Sequence, residues 1–221
     1  MNIVSFSLWG DNPMYNMGFI MNYGLHKKIY KDWEFVLYYD DTISDDVKDF
    51  IRVKNIKSYN MTGSSIPGEF WRFMANDIND GGYTIFRDCD SRISEREELA
   101  VKEWVDSGKT LHVMRDHPYH KIPLGVGKMG MLAGMWGIKS GLINIGERLG
   151  GFVENNNLIW GSDQTFIYSI YEIYINDMVV HDPFHSNKPF PSDRKNFHFI
   201  GERFDGDNNR FNDYLVLKQW K

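Results

Sequence analysis

Two aspartates one residue apart, Asp88 and Asp90, close the apolar run Tyr83-Thr84-Ile85-Phe86-Arg87. In extended chain residues i and i+2 point to the same side, so both carboxylates can converge on one cation while Cys89 points away. Oxygen ligands favour Mg²⁺ or Mn²⁺, ions that commonly sit on a diphosphate. Carboxylates at the carboxyl end of a buried parallel strand also stand where α/β sheets bind ligands. A bare D-x-D is usually a solvated acidic turn. Its place after a strand and before a capped helix makes this one a candidate metal site.

Other residues could join that chemistry. His181 ends the late apolar run Val179-Val180 and would be a third metal ligand, against the plainer reading of a hydrogen-bonded core histidine. Lys188, in Asn187-Lys188-Pro189-Phe190, would neutralise a phosphate, and otherwise is a surface lysine. Asp163 falls in the first turn of an expected helix. The helix dipole there favours its ionised form, which suits charge stabilisation, base catalysis or hydroxyl binding. Arg72, between Trp71 and Phe73, is an ordinary snorkelling residue unless it points at Asp88 or at a substrate. Trp136, in Gly134-Met135-Trp136-Gly137, would stack on a sugar ring or else be buried core. Arg115-Asp116-His117-Pro118-Tyr119-His120 is dense in titratable groups and reads as a polar active-site wall, with Asp116, Trp136, Gly137 and Asp163 the sugar- and acceptor-binding candidates.

The elements that must position these residues alternate between strand and helix. Strands are expected at Ile3–Leu8, Glu34–Tyr39, Ile56–Met61, Tyr83–Arg87, Leu111–Met114 and Ala133–Ile138, with short late ones at Val179–His181 and Phe197–Ile200. Helical spacing runs through Met17, Ile20, Met21, Leu25 and Ile29, and through Phe166, Ile167, Ile170, Ile173 and Tyr174 behind a capping Ser162. Ser44 caps a helix to about Val53, and Phe70, Phe73, Met74 and Ile78 mark another. Ser94-Glu95-Arg96-Glu97 is a capping box. The pattern is that of an α/β domain with a mostly parallel central sheet flanked by helices. Residues 117–134, rich in Gly and Pro, read as a long functional loop. With no linker or repeat in view, residues 1–221 read as one domain.

The bulk numbers narrow the classes. Net charge is −5 with no basic cluster, which argues against a nucleic-acid surface. The single cysteine allows no internal disulfide and fits a reducing compartment. No apolar run approaches a membrane span, and no basic segment leads into an apolar signal core, so the expected location is cytoplasmic. P-loop, nucleophile-elbow and zincin motifs do not occur.

Taken in order, Phe6-Ser7-Leu8-Trp9-Gly10-Asp11-Asn12-Pro13, Phe70-Trp71-Arg72-Phe73, Arg87-Asp88-Cys89-Asp90-Ser91-Arg92, Met114 to His120, Gly134-Met135-Trp136-Gly137, Gly161-Ser162-Asp163-Gln164, His181-Asp182 and Phe190-Pro191 resemble a GT-A-type glycosyltransferase. The resemblance covers nearly the whole chain. It is nearest to small bacterial and viral glycosyltransferase-like proteins, including the N-terminal domain of a chlorella-virus glycosyltransferase; for a viral chain the location would be the host cytoplasm.

The resemblance implies a GT-A, Rossmann-like nucleotide-diphospho-sugar transferase domain. Ser7, Leu8, Trp9 and Gly10 would hold the nucleoside, and Asp88 and Asp90 a Mn²⁺ or Mg²⁺ ion on the diphosphate. In family 8 an arginine before the metal strand contacts the donor sugar and an Asp-Gln pair lies near the reacting centre; Arg72 and Asp163-Gln164 are similar. A late histidine and Lys-Pro-aromatic supply that family's third ligand and a phosphate contact, which His181 and Lys188-Pro189-Phe190 resemble. Cys89 replaces the commoner Thr or Ala, Ala133 stands where Gly is usual, and Gly125 to Gly130 is longer than in close relatives. The expected reaction moves a hexose from a nucleotide-diphosphate sugar, with UDP the expected nucleotide, to a glycan or glycoprotein hydroxyl. The alternatives are a nucleotidyltransferase, which needs a further basic patch, and a non-catalytic nucleotide-sugar or carbohydrate-binding protein.

Overall fold

The computed structural model describes residues 1–122, 130–159 and 161–220. The strands are β1 (Asn2–Leu8), β2 (Trp33–Tyr39), β3 (Lys57–Asn60), β4 (Tyr83–Arg87), β5 (Leu111–Met114), β6 (Met135–Lys139) and β7 (Met178–His181). They form one sheet in the order β3-β2-β1-β4-β6-β5-β7. Pairing is parallel except around β6, which runs antiparallel to both β4 and β5. The sheet is mostly parallel, as expected, with β6 the one reversed strand. The chain leaves β5, turns at the carboxyl edge and comes back down between its two neighbours.

The helices are α1 (Pro13–Ile29), α2 (Asp45–Val53), α3 (Gly68–Trp71) with a 3-10 turn at Arg72–Asn76, α4 (Glu95–Ser107), α5 (Ile145–Asn155), α6 (Ser162–Tyr174) and α7 (Tyr214–Gln219). The pleat sorts them. Ile3 of β1, Val36 of β2 and Phe86 of β4 pack with Phe70, Phe73, Ile145, Leu149 and Phe166 on one face. Val4, Phe6 and Leu8, with Ile85, pack with Phe19, Val47, Val101 and Trp104 on the other. The first face therefore carries α3, α5 and α6, and the second α1, α2 and α4.

Local signals explain most boundaries. Pro13 opens α1 and Asn12 caps it, accepting from Met14 N at 3.0 Å. Ser94 caps α4 by accepting from Glu97 N at 3.3 Å, and Gly108 closes it at φ 70°. Glu97 does not complete the capping box; it accepts from Arg87 Nε at 2.7 Å and Tyr30 Oη at 3.1 Å, because a buried guanidinium is the stronger partner. Ser162 does not cap α6. Gly161 takes that position at φ 84°, and the Ser162 hydroxyl accepts from Ile159 N. The strand expected at Phe197–Ile200 is absent; those residues form turns that follow β7 back across the sheet's carboxyl edge. Within the 117–134 stretch, residues 123–129, which include most of the Gly125 to Gly130 segment, lie outside the described residues. No helix among the described residues is long and apolar enough to cross a membrane.

One core group makes the fold sensitive to acid. His26 of α1 is 1% exposed against Phe35, and neither ring nitrogen has a hydrogen-bond partner. Burial, then the Lys27 charge, lowers its pKa from 6.5 to about 4. Its contribution is complete above pH 6.5 and is lost as pH falls toward 4, since the unfolded chain takes up the proton first. Thermal melts across that window are expected to fall by up to roughly 3 kcal/mol through this residue. His26→Leu should flatten the slope; an unchanged slope would assign the acid sensitivity elsewhere.

Candidate active site

The site grows from the parity of β1. Ser5 and Ser7 face α3, where two hydroxyls grip one residue: Ser5 Oγ donates to Arg72 O at 2.8 Å, and Arg72 N donates to Ser7 Oγ at 2.7 Å. The backbone of Arg72 is thereby fixed to the centre of the sheet. Its side chain, 5% exposed, crosses the Phe73 ring and lies between two carboxylates: Nη1 is 3.3 Å from Asp88 Oδ1 and Nη2 2.9 Å from Asp163 Oδ2. The three residues come from three elements, the 3-10 turn, the end of β4 and the first turn of α6. The sequence condition for taking Arg72 seriously, that it points at Asp88, is met.

β4 ends at Arg87 and the chain turns at Cys89 and Asp90. Cys89 is buried in the α1/α4 core with its thiol on Ser7 O at 3.3 Å, and the Asp88 and Asp90 charges act on each other. Burial, then the neighbouring aspartates, raises the Cys89 pKa, so the thiol stays protonated. The Asp88 side chain is 45% exposed, open to a ligand, whereas Asp163 is 14% exposed. Two glycines let the chain close around the pair. A Cβ on Gly134 would lie 1.9 Å from Asp88 Oδ2, and one on Gly18 of α1 1.9 Å from Cys89 O. Phe204 N donates to Asp90 O at 2.9 Å, and Ser91 bridges Arg203, so the C-terminal segment walls the site.

The electrostatics fit a divalent cation. Asp88, Asp90 and Asp163 face the buried guanidinium of Arg72, while Arg203, which also acts on Asp90, is already paired with Asp213 at 3.1 Å. Burial, then the Asp88 charge, pushes the Asp90 carboxyl up to about 6, against the opposing pull of Arg203 and Arg72. Burial also raises Asp163, with Arg72 opposing it, and raises the Tyr15 phenol, where Asp90 and Asp88 add to the effect. Crowded carboxylates of this kind are relieved by a metal ion. Among the described residues no three His, Cys, Asp or Glu side chains converge on one point. Two carboxylates with phosphate oxygens and water nevertheless suffice for Mg²⁺-like ions.

Several sequence candidates lie elsewhere. His181 is on the opposite face of the sheet, and β7 is separated from β4 by β6 and β5. Its Nδ1 is 2.8 Å from His112 Nε2 and its Nε2 3.5 Å from Glu103 Oε2, so it does not join Asp88 and Asp90. Lys188 is exposed in a turn after β7, paired through its backbone with Asp182 and making no contact with the carboxylate cluster. Asp116 is fully buried and accepts from Arg96, Arg194 and Ile200 N; a network this saturated holds loops together and leaves no lone pair for a sugar. Trp136 is also fully buried, its ring 4.4 Å from Phe86 and its indole N–H on Ala133 O, so it offers no stacking face. Gly137 is small for packing: a Cβ there would meet Ile85 at 2.8 Å and Trp104 at 2.9 Å.

The remaining candidates support the site in different ways. Gln164 Oε1 accepts from Ala133 N at 3.1 Å and its Nε2 donates to Met131 O, tying 131–133 to α6 and setting Gly134 against Asp88. It positions and has no free polar atom for chemistry. Leu8 is buried in the far core and Ser7 serves Arg72. Of the expected nucleoside loop, Trp9 is 43% exposed, edge-on to Trp71, and Gly10 at φ 70° donates to Thr42 Oγ1 at 2.7 Å. Gly134, Gly18, Tyr15 and Arg203 are the site residues that sequence reasoning did not place.

No protein-family model matches the chain, and no curated protein matches it by sequence. Solved structures do. The mannosyltransferase PcManGT from Pyrobaculum calidifontis, in complex with GDP-Man and Mn²⁺, superposes with a TM-score of 0.56 at 13% identity, over 83% of this chain and 55% of that one. TarS 1–349 from S. aureus superposes at 0.52 and 12% identity over 86% and 58%, and its UDP complex at 0.51 and 14% over 86% and 59%. The fold is GT-A-like. This chain spans just over half the length of those solved chains.

Proposed function

We propose that this GT-A-like domain is a metal-dependent glycosyltransferase that moves a sugar, a hexose in the first expectation, from a UDP- or GDP-linked donor to a glycan hydroxyl. The observation that carries the reading is Arg72 held between Asp88 and Asp163 at the carboxyl edge of the parallel strands. Superposition on structures solved with GDP-Man and Mn²⁺ or with UDP supports the same class. Asp88 and Asp90 would hold Mn²⁺ or Mg²⁺. When bound, the ion would supply positive charge to the departing diphosphate.

The chain's own groups do the rest. Arg72, with its backbone clamped and Nε buried without a partner, brings a second positive charge that needs no reorganisation as the phosphate leaves. Asp163 is fixed by Gln164 N and Arg72, so its carboxylate can orient the donor sugar or receive the proton of the acceptor hydroxyl. Trp9 and Gly10 offer the exposed surface of the first-strand loop to the nucleoside.

Titrating UDP and GDP by calorimetry, with and without Mn²⁺, tests the reading. One nucleotide is expected to bind in a metal-dependent way. Binding indifferent to Mn²⁺, or no binding by either, would reject it.

A further inference from the structure

The C-terminal segment builds a cavity of about 330 Å³ lined by Phe184, Arg194, Asn196, Phe197, Leu217 and Trp220. That is the lower end of the roughly 300–1,000 Å³ usual for small-ligand sites. None of its residues belongs to the Asp88–Asp163 cluster. The Trp220 ring meets Phe184 edge-on at 5.4 Å, and the Arg194 guanidinium lies over the Phe184 ring at 4.8 Å. Asp116 takes only Nη2 of Arg194, so that guanidinium keeps N–H donors to spare, and its Nε is buried with no partner.

The backbone at this cavity is strained. Asn196 and Phe197 have φ of 52° and 59°, and Phe197 is the one residue other than Gly or Asn with positive φ among the described residues. Arg210 enforces the strain from behind: Nη1 donates to Asn196 O at 3.2 Å, Nη2 to Phe197 O at 3.1 Å and Nε to the buried Glu202 at 2.6 Å. The result is a phenyl ring 44% exposed at the cavity, next to Trp220 at 54%. Burial would favour turning these rings inward, and strain held in place by the surrounding structure is characteristic of ligand sites.

We propose that this cavity is a second saccharide-binding site. Aromatic faces take the C–H side of a pyranose, while Asn196 and the spare Arg194 donors take its hydroxyls. Arg203, bridged to Ser91 beside Asp90 and paired with Asp213 just before α7, ties the cavity wall to the carboxylate site. On the transferase reading the cavity would hold the part of an acceptor glycan remote from the reacting hydroxyl. That placement rests on the proposed function; the binding itself does not.

The probes are methyl α-D-glucopyranoside, methyl α-D-mannopyranoside, methyl β-D-galactopyranoside and N-acetylglucosamine, followed by saturation-transfer NMR and by the tryptophan indole resonances. At least one should bind without nucleotide or metal and shift the Trp220 indole. Trp220→Ala and Phe197→Gly should each weaken it tenfold or more, whereas Asp88→Asn leaves it unchanged. Phe197→Gly should also raise the melting temperature, because glycine relieves the positive φ; a ring that serves packing alone would lower it. No binding by any of the four, binding that survives both variants, or displacement by UDP with Mn²⁺ would overturn the assignment.

Discussion

Asp88→Asn and Asp90→Asn are each expected to abolish metal-dependent nucleotide binding while the fold stays intact. The two charges act on each other just beyond β4, and the Asp88 side chain is 45% exposed. Two oxygen ligands leave no reserve, so the loss should exceed the roughly 10–100-fold typical of outer-shell partners. Stability should respond differently. Burial and the Asp88 charge hold the Asp90 carboxyl near 6, so its ionised form costs folding energy at neutral pH, and Asp90→Asn removes that cost. Calorimetry with Mn²⁺ and UDP, paired with thermal melts, checks both statements. Wild-type nucleotide affinity in both variants would sink the metal assignment.

The second large effect is at Asp163. Asp163→Asn should lower turnover by about two or more orders of magnitude, the scale of lost acid–base assistance. Donor affinity should barely change, because an asparagine oxygen still accepts from Arg72 Nη2, 2.9 Å from the present carboxylate. Turnover falls because a neutral amide can neither take a proton nor balance a developing cation. Near-normal turnover, or donor affinity lost in step with turnover, would remove Asp163 from the chemical step.

Strand parity carried most of what the sequence revealed. Alternation puts Asp88 opposite Cys89, and the Phe86 side of β4 is indeed the α3/α6 face. The same parity, applied across strands, would have separated His181 from Asp88: Val179 and His181 share a face with Ile85 and Trp104, not with Phe86. Motif order cannot report this, since it fixes neither the sheet order nor which face a late strand presents. Asp116 and Trp136 misled for a different reason. Polar and aromatic residues near a site are equally suited to lining it and to supporting it, and only solvation separates the two uses. Helix α5 lacked a strong cue because Gly146, Gly150 and Gly151 break its propensity, and packing of Ile145 and Leu149 against Phe70's face decides it instead. The role of Gly134 depends on a side chain it does not have, which no spacing rule can read.

The sheet ends in short strands. Edge strands β3 and β7 have four residues each, and β3 carries Lys57, paired with Glu34 at 2.7 Å. A border of four-residue strands offers few consecutive unpaired amides to another copy of the chain. The seven-residue strands β1 and β2, which would template aggregation if exposed, sit in the interior of the order. Self-association during refolding should therefore arise before β2 and β4 have covered β1, making early strand pairing, rather than the finished edges, the step that limits recovery at high protein concentration.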